Sequence, residues 1–188
     1  CIMPINFDLE KLREKYNCIN YFETGLYDSS KNISLKKALK CNFSKLYSIE
    51  IRKDWVDLGK EVFKKDIEKG RLKLYLDDSV NIKNYLYNDD FINRTIFFLD
   101  AHVDDKNIHN YKKKCPLLEE LSAIAELERK DHIILIDDLR IINWWFPWGQ
   151  FHFNLLNEIK EKILLINKDY KFSTLNGHIQ NDVLIAYI

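Results

Sequence analysis

Short runs rich in Ile, Leu, Phe and Tyr alternate with longer stretches of helical periodicity from one end of the chain to the other, and this alternation constrains the fold most. It is the pattern of βαβ units, in which helices carry the chain between neighbouring parallel strands. The strand candidates are Ile19–Glu23, Lys45–Ile51, Leu72–Asp77, Thr95–Asp100 and His132–Asp137. The spacing predicts helices over Ser34–Leu39, Lys53–Glu68 closed by Gly70, roughly Ile82–Tyr87, Pro116–Arg129 and Phe151–Ile166. Pro116 occupies a favoured first-turn position, and Leu117, Leu121, Ile124 and Leu127 recur near helical spacing. Two last strands, near Lys171–Leu175 and Asp182–Ile188, are joined through Asn176-Gly177, which suits an antiparallel hairpin.

These elements predict an α/β fold: a doubly wound, Rossmann-like sheet of seven strands, mostly parallel, with a C-terminal antiparallel hairpin. The element order is that expected of the class I methyltransferase fold, although a plain nucleotide-binding Rossmann domain shares its first half. A length of 188 residues fits a single domain spanning 1–188. The first residue is Cys1 and not Met, so a domain excised from a longer chain is one expectation. A chain that is 46% hydrophobic and 31% charged, with few Gly and Pro, is expected to be compact and ordered throughout.

Lys plus Arg equals Asp plus Glu, so no overall positive field gathers a long polyanion, and nucleic acid is not expected as a partner. Apolar runs such as Ile133–Ile136 and Ile163–Ile166 are too short to span a bilayer, and no secretory signal pattern opens the chain. A cytoplasmic protein with no membrane partner is expected. The four cysteines, Cys1, Cys18, Cys41 and Cys115, show no C-x-x-C pairing and read as reduced structural thiols.

In an open parallel sheet the ligand lies beyond the carboxyl ends of the strands, and there four of the five candidate strands end on an acidic residue. In the remaining one, the second, Glu50 sits one residue before the end. After the first strand, residues 23–30 read E-T-G-L-Y-D-S-S, which lacks the G-x-G-x-x-G of a pyrophosphate cradle. S-adenosylmethionine carries no phosphate and has a positive amino group and sulfonium, so Glu23, Thr24, Gly25 and Ser30 are candidates for binding it. A glycine turn with a helix-capping serine is the alternative. Glu50 is a candidate acceptor for both ribose hydroxyls, or else an ion-pair partner of Arg52 or Lys53. Asp78 and Ser79 are placed near the adenine, with Asp77 competing because the strand phase is uncertain by one residue.

Asp100-Ala101-His102 after the fourth strand and Asp137-Asp138 after the fifth form the most informative cluster. Adjacent parallel strands bring these carboxylates together, where unneutralised they raise one another's pKa, so Mg²⁺ is a natural resident. Capping of a helix and bonds to backbone amides are the alternative. His102, two residues past Asp100, is a candidate general base for an acceptor hydroxyl, with Asp100 beside it in the catalytic group. His109, His132, His152 and His178 read as surface or core residues. The aromatic loop Trp144-Trp145-Phe146-Pro147-Trp148 reads mainly as core or interface, and the polar run Asp104 to Lys114 as a solvated loop.

Taken together, E-T-G, the acidic end of the second strand, D-S, D-x-H and D-D resemble the metal-dependent sugar O-methyltransferases of the macrocin and novobiocin type. The resemblance covers nearly the whole chain in element order and rests on five short motifs. It implies Asp100, Asp137 and Asp138 as Mg²⁺ ligands, His102 as base, Glu23 and Gly25 in the methionine-binding loop, Glu50 on the ribose, and a sugar or glycan hydroxyl as acceptor. Val103–Cys115 is a long insertion relative to that pattern, and the N-terminal segment is short. A non-catalytic nucleotide-binding or interaction domain and a metal-independent small-molecule methyltransferase are the competing readings.

Overall fold

The computed structural model describes residues 5–101, 115–142 and 155–188. Strands β1 (Asn20–Thr24), β2 (Lys45–Glu50), β3 (Leu72–Leu76), β4 (Thr95–Leu99) and β5 (Ile133–Ile136) form where the apolar runs predict them, each within a residue or two. β6 (Lys171–Leu175) and β7 (Val183–Tyr187) form the terminal hairpin. The helices are α1 (Leu9–Lys15), α2 (Ser34–Leu39), α3 (Lys53–Val62), α4 (Lys64–Glu68), α5 (Leu117–Glu126), α6 (Leu139–Ile142) and α7 (Leu155–Ile166). Two 3₁₀ turns, Ser79–Tyr85 and Asp89–Ile92, lie between β3 and β4.

The seven strands form one sheet in the order β3-β2-β1-β4-β5-β7-β6. β1 to β5 are parallel, and β7 runs antiparallel to both β5 and β6. The chain winds outward from β1 through β2 to β3, then crosses back to β4 and β5. The order therefore reverses between β1 and β4, and the crevice at their carboxyl ends is where such sheets bind ligands.

Every residue of β1, β4 and β5 is buried, as strands covered by helices on both faces require. Successive side chains take opposite faces. Phe22, Tyr47, Phe97, Leu99 and Ile136 pack on one side with Leu121 and Ile124 of α5 and Ile159 and Ile163 of α7. Tyr21, Leu46, Ile96, Phe98 and Leu135 pack on the other with Leu9 and Leu12 of α1 and Leu35 and Ala38 of α2. His132 is buried and neutral: burial pushes its pKa down to about 3, and its Nδ1 accepts the Thr95 N–H at 3.1 Å.

Three local features differ from expectation. The helix expected over Lys53–Glu68 breaks at Phe63 (φ −105°, ψ 18°), whose ring turns into the core beside Leu72. The helix expected over Ile82–Tyr87 is a 3₁₀ turn that starts earlier, at Ser79, because the Asp78 carboxylate caps the Val80 N–H at 3.1 Å. α1 was not anticipated from the sequence; Asp8 caps it through the Lys11 N–H at 2.9 Å, and Leu9 and Leu12 anchor it. Cys18 and Cys41 are buried and Cys115 half-buried, all as free thiols. No helix among the described residues is long and apolar enough to cross a membrane.

Candidate active site

The exits of β1 and β4 are pressed together at the switch point. The Asp100 N–H donates to the Thr24 carbonyl at 3.1 Å and approaches the Thr24 hydroxyl at 3.3 Å. Gly25 has φ +86°, and a Cβ built on it would stand 2.7 Å from the Asp100 carbonyl oxygen. No side chain fits there, so the glycine is demanded by both conformation and space. Its N–H donates to the Ile49 carbonyl at 2.9 Å, tying the same turn to β2.

Glu50 closes β2 and is 5% exposed. Its carboxylate accepts the Tyr27 N–H at 3.0 Å and the Arg52 N–H at 2.8 Å, one on each oxygen. Burial raises its pKa, with backbone N–H groups opposing the rise. Each oxygen keeps lone-pair capacity for a further donor. The Arg52 guanidinium pairs with Asp54 at 2.5 Å and lies 3.8 Å over the Trp55 ring, so Arg52 meets Glu50 through its backbone N–H. Tyr27 packs edge-on to Trp55 at 4.6 Å, adding an aromatic rim beside Glu50.

The other candidates of the first loop divide. Glu23 is wholly buried on the opposite sheet face from Thr24, where hydroxyls of Ser34 (2.8 Å), Ser48 (2.9 Å) and Tyr21 (3.0 Å) donate to its carboxyl. Burial pushes its pKa from 4.5 up to about 7, held back by those hydroxyls. Between these two values the native state keeps a proton that the unfolded chain releases, so stability falls as pH rises through that window. Glu23→Gln is therefore expected to gain on the wild type by on the order of 2 kcal/mol between about pH 5 and 8, read by urea denaturation at each pH. Ser30 is exposed, and its N–H and hydroxyl both donate to Asp28. The buried serine of the segment is Ser29, whose hydroxyl has no hydrogen-bond partner.

After β3, Asp77 accepts from the Asp78 N–H (2.8 Å), the Asn81 side chain (2.8 Å) and the Tyr85 hydroxyl (2.7 Å). With Asp78 capping the 3₁₀ turn, both aspartates bind their own loop, while Ser79 is buried beside them.

Asp100 beyond β4 and Asp137 and Asp138 beyond β5 act on one another electrostatically, and Asp182 joins the two aspartates after β5. Burial raises the pKa of Asp100 well above the ordinary value, and Asp137, Asp138 and Glu23 push it further. Asp137 is 2% exposed and shifted the same way by burial and by Asp138 and Asp182, and its Oδ1 has no hydrogen-bond partner. Carboxylate oxygens of Asp137, Asp138 and Asp182 fall within 4.8 Å of one another, with Asp100 outside that trio. Asp182 was missed in the sequence because it precedes β7. That strand is antiparallel, so its beginning, and not its end, lies on the rim with the ends of β4 and β5. Arg140 of α6 sits among these acids, pairing with Asp138 at 2.6 Å and with the buried Asp182, whose Oδ1 also accepts the Arg140 N–H at 3.0 Å.

A hard divalent cation fits this donor set. Arg140 engages Asp138 and Asp182, while Asp137 offers an orphaned buried oxygen beside Asp100, and such an ion relieves the cost of packing like charges out of water. His102, the residues 103–114 and the aromatic loop Trp144–Trp148 lie outside the described residues, as do His109 and His152.

A second unforeseen acid is Glu120. It lies on α5 in register with Leu117, Leu121 and Ile124, on the stripe that faces the core, and it is wholly buried near Thr24 and Ser79. The signal in the sequence was an acidic residue at an apolar helical position.

No protein-family model matches the sequence, and no curated protein matches it. Solved structures do match in fold. The O-methyltransferase TomG from Streptomyces achromogenes, involved in tomaymycin synthesis and solved with S-adenosylmethionine, superposes with a TM-score of 0.61 at 12% identity, over 96% of this chain and 77% of that one. An O-methyltransferase from Bacillus cereus, in complex with SAH, gives 0.56 at 15% identity over 96% and 79%. The methyltransferase domain of bacterial CtHen1 gives 0.54 at 10% over 96% and 95%. At such low identities the likeness shows a shared fold, a seven-stranded, mostly parallel sheet that ends in an antiparallel hairpin.

Proposed function

We propose that this chain is an S-adenosylmethionine-dependent O-methyltransferase acting on a hydroxyl of a sugar or glycan. The observation that carries the reading is the meeting of the Gly25 turn, Glu50, Asp100 and the acids after β5 along one carboxyl rim, on a fold shared with proteins solved with this cofactor or SAH. The Gly25 turn lets a ligand approach the backbone closely, and Glu50 is suited to receive the ribose hydroxyls. Asp137, Asp138 and Asp182, whose carboxylate oxygens lie within 4.8 Å of one another, would hold a divalent ion, with Asp100 acting on them from the β4 exit and Arg140 as a counter-charge. When bound, the cofactor supplies an electrophilic methyl group and the ion lowers the pKa of the acceptor hydroxyl. By its place in the sequence His102 takes the proton of that hydroxyl.

Arg140 favours a second reading, in which its guanidinium already compensates the acids and methyl transfer needs no metal. Calorimetry with S-adenosylmethionine tests the common part. Binding should weaken about ten- to a hundredfold in Glu50→Ala, as expected for losing charge-assisted bonds. Absence of binding, or an unchanged affinity in the variant, contradicts the proposal. Labelled methyl transfer to a panel of hydroxylated sugars, with and without EDTA, separates the metal-dependent from the metal-independent reading.

A further inference from the structure

The residue left unexplained by the rim is Glu120. It is 0% exposed, and neither carboxyl oxygen has a hydrogen-bond partner. An orphaned buried carboxyl is costly, and a native fold retains one where a ligand or water completes it. The hydroxyls of Thr24 and Ser79 lie close enough to restrain the rise of its pKa, but neither closes a hydrogen bond of sound geometry. Its surroundings thus come from three elements of the rim: Thr24 at the end of β1, Ser79 after β3, and α5 itself. Among the described residues, the charges that act on it most strongly are Glu119 on its own helix and Asp78 from the β3 exit, both acidic. It therefore seeks a hydrogen-bond donor.

On the reading proposed above, the ribose is at Glu50 and the base extends past the β3 exit. Asp77 and Asp78 there are engaged with their own loop. A 9-substituted adenine offers one N–H donor group, its exocyclic amine, among ring nitrogens that only accept. We infer that Glu120 is the purine-selecting residue of the site, its carboxyl accepting the exocyclic amino group of the cofactor's adenine. This rests on the cofactor assignment under Proposed function and adds to it the group that tells adenine from hypoxanthine, which carries a carbonyl at the same position. A carboxylate accepts from the amine and repels the carbonyl.

The test is a calorimetric titration of the whole chain with S-adenosylhomocysteine and with S-inosylhomocysteine. It is run at about pH 8.5, where a carboxyl pushed by burial to about 7 is ionised. Wild type should prefer the adenine compound by at least about tenfold. Glu120→Gln, whose amide can turn its N–H toward the hypoxanthine carbonyl, should narrow that preference to within about threefold. Glu120→Leu should lose about tenfold or more for the adenine compound and retain no preference. Should the leucine variant not fold, the wild type and the glutamine variant decide. Adenine binding with no preference in the wild type, or a preference untouched by Glu120→Gln, overturns the inference and leaves Glu120 as the seat of a buried water. Failure of the wild type to bind either compound overturns the cofactor assignment itself, and the inference with it.

Discussion

Gly25→Ala is expected to destabilise the fold by about 3–5 kcal/mol, measured by chemical denaturation, and to abolish cofactor binding in whatever fraction stays folded. Two costs combine. The backbone at +86° is strained for any residue with a Cβ, and that Cβ would sit 2.7 Å from the Asp100 carbonyl oxygen, 3.0 Å from its carbon and 3.2 Å from the Ala101 Cα. All three are backbone atoms that no rotamer change can clear. The two strands cannot slide apart either, since Thr24 pairs with Leu99 in the register and the Asp100 N–H is bound to the Thr24 carbonyl. Gly70 supplies the internal control. It too is left-handed, at +66°, but a Cβ there meets nothing within 4 Å, so Gly70→Ala is expected to cost only about 1 kcal/mol. Equal losses at the two positions would mean that the close approach of the β1 and β4 exits is not part of the fold.

Arg140→Met is expected to cost about 3–5 kcal/mol near neutral pH, because it strips the counter-charge from acids that remain out of water. Asp182 has a fully buried side chain and Asp138 a mostly buried one, and both are paired with this guanidinium. Methionine keeps much of the stem volume, so the deficit reports charge and not a cavity. If the rim holds a divalent ion, millimolar Mg²⁺ should return part of the lost stability to the variant, since an ion bound only by the folded state stabilises it by mass action. Recovery with Mg²⁺ but not with K⁺ at matched ionic strength supports the metal-assisted reading. No recovery supports the reading in which Arg140 does the compensating alone.

Much of this architecture was legible in the residue pattern because parallel strands covered on both faces are mainly apolar, as Ile96–Leu99 of β4 and Ile133–Ile136 of β5 are. The rim acids were legible for the same reason: a carboxylate at the end of an apolar run stands out, as Glu50, Asp100 and Asp137 do. What their side chains do was less legible. Glu23 looks in the sequence like a ligand-facing acid, but strand alternation sends it to the face opposite Thr24, into a cage of three hydroxyls. Ser30 sits one residue beyond the buried Ser29, a phase that composition does not reveal. Asp182 and Glu120 were hidden by a different cause. Each reaches the rim through tertiary placement, one by the reversed direction of β7 and the other by the packing of α5, and neither lies at the end of a parallel strand. The break at Phe63 likewise reflects a ring drawn into the core, which outweighs a continuous helical pattern.

The most direct trial of the central claim is a crystal structure of the chain soaked with S-adenosylhomocysteine. The ligand should lie across the carboxyl ends of β1 and β4, its ribose hydroxyls on Glu50 and its backbone approach at Gly25. Density for the ligand away from that crevice, or none at saturating concentration, would contradict the account.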